Sequence, residues 1–267
     1  GGGAFKNSTI PRQPTNIFSS SMVLANNGDC RHEPYTVYND SRAKKMRKTL
    51  SSWNSSRGQK AEMQAQKVFV DDVSTLVNES IDGLLLSSGG SLKRLDGFDN
   101  SIRVVVRADY AALKGREVAL VSGGGAGHEP LHAGFVGDGM LTAAVCGDIF
   151  ASPSTDAVLS AIRTVAGEKG CLLIIKNYTG DRLNFGIAAE QARARYGVEV
   201  RTLFVRDDAA LPGAPQPRGV AGTVLVEKFA GHLARAGRPL AEVAERSAAF
   251  LAGVATVGAS LTTCTIP

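Results

Sequence analysis

GCLLIIKNYTGDRLNFGIAAEQARARYGVEVRTLFV, residues 170–205, decides the fold. Gly170–Lys176 is an apolar run of strand length, the pattern of a strand covered on both faces. Leu183–Arg195 reads as a helix, and Val198–Val205 as a second strand. A strand, a helix of more than ten residues and another strand make a crossover between parallel strands. The same alternation continues outward. Upstream lie a β-branched run at Ile102–Val106, an apolar strand at Glu117–Ser122 and a strand-like run within Leu141–Phe150. SPSTD then caps a helix from about Asp156 to Ala166. Val68–Leu86 has apolar residues at helical spacing and stops at the Ser-Ser-Gly-Gly of 87–90. Downstream, Val220–Ala236 and Leu240–Ala255 read as two further helices. The expected fold is therefore α/β, a largely parallel sheet flanked by helices.

In such sheets ligands gather at the carboxyl ends of the strands. Two polar motifs directly follow expected strands and so share that edge: SGGGAGHEP at 122–130 and KNYTGD at 176–181. The glycines from Gly123 to Gly127 expose backbone N–H groups with little side-chain bulk. They read either as a cradle for an anion or small oxygenated ligand, or as a tight turn needing positive φ. Pro130 suits the first turn of a following helix, with His128 at the junction and His132 in that first turn. His-Glu-Pro-Leu-His also spells the zinc-peptidase pattern H-E-x-x-H. A helix carrying both histidines would need Pro130 in its interior, at a cost of about 3 kcal/mol, which argues against a zinc hydrolase. A Walker loop is excluded, because no Gly-Lys dipeptide occurs in the chain. In KNYTGD, Asp181 beside Lys176 reads either as a proton acceptor for a bound hydroxyl or as the cap of the helix starting near Leu183. Spacing alone favours the cap. Arg206-Asp207-Asp208 lies on the same edge or in a solvated loop, and His232 on a polar helix face.

Charge divides the chain. The net charge is +5, but residues 1–62 hold 10 Lys and Arg against 4 Asp and Glu, while the remainder holds 20 against 21. The basic surplus belongs to the first 62 residues, which are Ser- and Asn-rich and without periodicity. They read as a disordered extension or leader, with a targeting or nucleic-acid tail as the alternative. Residues 63–267 read as the folded domain, for which no nucleic-acid partner is implied. Cys30, Cys146, Cys171 and Cys264 are widely separated and read as free thiols. No apolar run is long enough to span a bilayer. The expected location is the cytoplasm.

In order, SGGGAGHEPLHAGF, GDIFASPS, IIKNYTGDRLNF, a strand followed by Asp-Asp, and RGVAGTVLVEK resemble the K subunit or K domain of the dihydroxyacetone kinases. The resemblance runs through most of 115–267 and loosely back to about Met63. It implies the first unit of a two-unit α/β K domain. The implied function is phosphoryl transfer to a primary hydroxyl of dihydroxyacetone or a related short ketose or aldose. By the same resemblance, the backbone of Gly125, Ala126 and Gly127 lines the substrate, His128 and Lys176 hydrogen-bond it, and Asp181 takes the hydroxyl proton. Position 126 is often Ser in the family. The resemblance further implies a homodimer and a separate L domain or subunit. That partner would bring ATP and Mg²⁺, with a phosphotransferase-system protein as the alternative donor. The family's covalent histidine, in a Gly-x-His-Gly-Glu-like context, has no counterpart among the four histidines here. The chain is therefore expected to be part of a site. The alternative is a non-catalytic ketose-binding or regulatory protein with the same fold.

Overall fold

The structure is a computed structural model describing residues 72–95, 101–210 and 213–261. In chain order it forms α1 (Leu76–Ser87), β1 (Leu92–Arg94), β2 (Arg103–Arg107), the single turn α2 (Tyr110–Leu113) and β3 (Ala119–Ala126). A 3₁₀ turn at Ala133–Phe135 leads to β4 (Ala143–Ile149), α3 (Thr155–Val165), β5 (Cys171–Lys176), α4 (Thr179–Tyr196) and β6 (Val200–Val205). Two helices close the described chain, α5 (Gly222–Arg235) and α6 (Leu240–Leu251). The expected extension at 1–62 lies outside the described residues, as do Cys30 and Cys264.

The strands form one six-stranded sheet in the order β1-β2-β4-β3-β5-β6. β4, β3, β5 and β6 run parallel, while β2 is antiparallel to both β4 and β1. The sheet is thus mixed, with one reversed strand in an otherwise parallel set. Every residue of β5 is buried, as its unbroken apolar run requires. The alternation of side chains across the strands creates two cores. Val104, Val121, Val145, Leu173 and Ile175 pack against α3 and α4 on one face. Val105, Leu120, Ala144, Leu172 and Ile174 pack against α1, α5 and α6 on the other.

Capping fixes the helix ends near the site. Ser154 Oγ accepts from Ala157 N at 3.2 Å and starts α3. Gly197, at φ 64°, ends α4 in a left-handed cap. α4 begins at Thr179, four residues before the expected start, so KNYTGD is divided between the end of β5 and the first helical turn. Among the described residues, no helix is long and apolar enough to cross a membrane.

The segment after Ser122 differs from expectation. The glycines form no loop at first: β3 continues through Gly123, Gly124 and Gly125 to Ala126 and pairs with β4 at Gly123↔Val145 and Gly124↔Cys146. The register then shifts between Gly124 and Ala126, and the chain turns. No helix begins at Pro130 either, since residues 127–132 are bends and turns. His132 accordingly precedes the 3₁₀ turn, where a helical first turn was expected.

Candidate active site

Three chain segments meet where β3 ends. Lys176, the last residue of β5, reaches toward Gly124 on the neighbouring strand. A Cβ at Gly124 would stand 2.5 Å from Lys176 Nζ and 3.4 Å from Asp181 Oδ2, so the missing side chain is the space these two groups share. Gly125 is needed for a different reason. Its Cβ would meet the backbone of Phe150 and Ala151 at 2.7–2.9 Å, so no larger residue fits without moving that chain.

Lys176 Nζ donates to His128 Nε2 at 3.2 Å. The ammonium has no acceptor capacity, so Nε2 is the accepting nitrogen and the ring proton sits on Nδ1. Burial first, then the Lys176 charge, lowers the His128 pKa to about 4, so the imidazole is neutral at neutral pH. Lys176 is itself 5% exposed, and burial depresses its pKa against the opposing pull of Asp181 and Glu227. Burial raises the pKa of Asp181, partly offset by a hydrogen bond from Ser152 Oγ at 2.6 Å and by the Lys176 charge. The result is a buried cation, a neutral imidazole and a carboxylate made more basic than usual, all around one glycine. Such a group can orient a small polyol or hydroxy-ketone and receive a proton from it.

Asp181 is therefore not the cap of α4. It lies in the helix's first turn with its side chain bound to Ser152, and the N-cap position belongs to Tyr178. Nor is the Gly127 N–H open: it donates to the Glu129 carboxylate at 3.1 Å, an acid occupying a donor expected to line the substrate. Ala126 is buried at the end of β3 and Gly125 is half-buried beside it. Asn177 pins the neighbouring loop, giving Nδ2–H to Pro217 O at 2.7 Å and accepting from Gln216 Nε2 on its own backbone oxygen at 2.9 Å.

The zinc-peptidase geometry is not formed. The two histidines of the H-E-x-x-H string turn to different partners, His128 to Lys176 and His132 Nδ1 to Glu227 Oε1 at 2.6 Å. Among the described residues no cluster of three or more His, Cys, Asp or Glu could hold a metal ion. Arg206-Asp207-Asp208 divides likewise. Asp207 is buried and accepts from Val220 N at 2.8 Å, Gly222 N at 2.7 Å and Thr256 Oγ1, fastening the start of α5. Asp208 pairs with Arg218 at 2.6 Å. His232 is exposed, as expected.

Behind the glycines, between α1 and the turns at 129–134, lies a cavity of about 360 Å³ walled by Val77, Ile81, Leu84, Leu131, His132 and Cys146. None of His128, Lys176 or Asp181 lines it. Sequence reading passed over two groups near the site. Ser152 stood one motif away among the residues read only as a cap. Glu227 is legible in principle as a charge at the apolar spacing of α5, between Thr223 and Ala230, which are both buried.

Comparison with known proteins finds relatives of this chain. Residues 89–267 match the model of the Dak1 domain. A tomato protein described as a putative 3,4-dihydroxy-2-butanone kinase is 53% identical over 204 residues, covering 75% of this chain and 34% of its own. The crystal structure of the dihydroxyacetone kinase from Citrobacter freundii, in complex with AMP-PNP and Mg²⁺, superposes with a TM-score of 0.65 at 56% identity. It covers 70% of this chain and 34% of that one. The structure of a dihydroxyacetone kinase operon co-activator is similar at 34% identity and a TM-score of 0.57, covering 64% of this chain and 51% of that one. The chain spans about a third of the length of the two kinases.

Proposed function

The chain belongs to the Dak1 domain family, and from that premise we propose that it holds dihydroxyacetone, or a related short ketose or aldose, for phosphorylation at a primary hydroxyl. The observation that carries this reading is the gathering of His128, Lys176 and Asp181 around Gly124. Lys176 and His128 orient the oxygens of the substrate, and Gly125 with its neighbours supplies the close backbone wall. The hydroxyl oxygen attacks the terminal phosphorus of the donor, its proton passes to Asp181, and the donor's remainder leaves with the bridging electron pair. The raised pKa of Asp181 matches a base that must hold a proton briefly. Because little covalent chemistry falls to the protein, positioning and electrostatics carry most of the gain.

ATP with Mg²⁺ supplies the phosphoryl group from a separate L domain or subunit, with a phosphotransferase-system protein as the other donor. The co-crystallised AMP-PNP and Mg²⁺ of the Citrobacter relative support the nucleotide. A homodimer in the cytoplasm is part of the same reading, and the free thiols of Cys146 and Cys171 suit a reducing compartment. The similarity to an operon co-activator supports a second reading, a ketose-binding regulator without turnover.

Titrating the ¹⁵N-labelled chain with dihydroxyacetone tests the binding common to both. Shifts at Gly125, His128 and Lys176 by about 10 mM ligand are expected, and their absence would overturn the proposal. In a complete kinase containing this chain, Asp181→Asn should lower turnover about 10²- to 10⁴-fold with binding largely kept. Unchanged turnover removes Asp181 as the base. No turnover in the complete unmutated protein favours the regulator.

A further inference from the structure

Glu129 follows His128 directly and has no part in the proton transfer just described. Its side chain turns back along the chain, and both carboxylate oxygens accept the Gly127 N–H at 3.1 Å. Gly127 leaves the end of β3 with φ at 103°, a conformation that L side chains rarely adopt. The Phe150 ring lies against it, since a Cβ at Gly127 would stand 2.9 Å from a ring carbon. The direction of the amide is therefore set by the backbone. Gly127 and Glu129 are both exposed, so amide and carboxylate meet at the open rim of the glycine wall. His128, between them in the chain, is hydrogen-bonded to the buried Lys176 ammonium. A turned backbone N–H with little bulk around it, beside a cation, suits an anion. A negative side chain placed on that N–H opposes the preference.

We propose that Glu129 is a specificity-determining residue, whose carboxylate on the Gly127 amide admits the neutral hydroxyl end of a short ketose or aldose and turns away hydroxy-acids and phosphate esters of similar size. The inference rests on the proposed substrate. A hydroxyl and an anion differ in what they can offer at this rim. The hydroxyl oxygen accepts the Gly127 N–H while its own proton goes to the Glu129 carboxylate, so it fits between the two without parting with either. An ionised carboxylate or phosphate brings acceptors only. It can reach the amide only by displacing Glu129 and then lies against a like charge. Selection of this kind works through a repulsive element as much as through attraction. The discrimination thus falls to a charge outside the group of His128, Lys176 and Asp181, and its removal should change which ligands the rim accepts.

The test titrates the full 267-residue ¹⁵N-labelled chain with glycerate and, separately, with dihydroxyacetone, at one ionic strength, and reads the Gly127 and His128 amide signals. The two ligands are of similar size, and only glycerate carries a charge. Glycerate should leave both signals of the unmutated chain nearly unmoved. Glu129→Gln keeps an acceptor for the Gly127 N–H and loses the charge, so glycerate affinity should rise about tenfold or more, while dihydroxyacetone affinity changes far less. Glu129→Ala should show the same split between the ligands, and decides the matter alone if Glu129→Gln does not fold. A folded Glu129→Gln protein that binds glycerate no better than the unmutated chain would overturn the proposal. So would an equal gain for both ligands, because the side chain would then merely fill space. If glycerate gains as stated and dihydroxyacetone binds none of the three chains, the substrate reading fails while the exclusion of anions at Gly127 stands.

Discussion

Among the described residues, His128 carries a clear pH signature. Its pKa lies near 4 in the folded chain against an ordinary value of 6.5, so between those values the unfolded state binds more protons. Stability from this group is therefore fully present above 6.5 and is lost as the pH falls toward 4. Urea midpoints measured across that window should decline with falling pH, and His128→Gln should flatten the decline. The comparison with His128→Gln isolates this histidine from Asp181, whose raised pKa acts with the opposite sign. At this scale the sequence was partly legible. His128, Lys176 and Asp181 could be named because an uncommon polar string follows an apolar strand in each case. Ser152 and Glu227 could be seen as polar residues but not matched to their partners, which lie 29 and 95 residues away, a relation no local pattern encodes.

Among the elements, α5 depends on a device outside itself. Asp207 accepts the N–H groups of Val220 and Gly222 at the helix start and also ties in Thr256. Asp207→Ala strands these donors in a buried place and should cost about 1–3 kcal/mol in urea denaturation. Asp208→Ala, one residue on, takes the partner from an Arg218 that is about half exposed and can turn to water, and should cost less than Asp207→Ala. Equal losses at the two positions would remove the clasp explanation. The strands and helices with strong periodicity were legible to within a few residues, from α3 to α6. Three features were not. β1 is three residues long and has no periodicity to read. The glycines of β3 carry poor strand propensity, but a Cβ at Gly123 would stand 2.2 Å from Val145 O, so close approach to β4 selects glycine over a strand former. Thr179-Gly180-Asp181 looks like a turn, and becomes the first turn of α4 because the chain leaves β5 directly into it.

Across the whole molecule the sheet is shared by two cores, so damage to either should be felt by both. Leu172→Ala, in the core shared by β5, α5 and α6, and Ile162→Ala, on the inward face of α3 in the other core, should each cost about 2–5 kcal/mol. Far-ultraviolet and tyrosine near-ultraviolet signals should still melt together, and separate transitions would show that the layers unfold independently. The α/β class was legible because strands and helices alternate. The reversal of β2 was not, since direction depends on which strand it finds as neighbour. The pairing of β3 with β5 has a further consequence, for the order of assembly. Leu120 lies opposite Leu172, so this contact closes a loop that contains both β4 and α3. Long-range parallel pairings are late and slow events in refolding. Gly124 and Lys176 come from these two strands, so the space that would receive a ligand is created by a long-range closure. In stopped-flow refolding, helical signal should recover well before the chain regains its environment around Lys176, and a partly folded chain should have most of its secondary structure and none of its site.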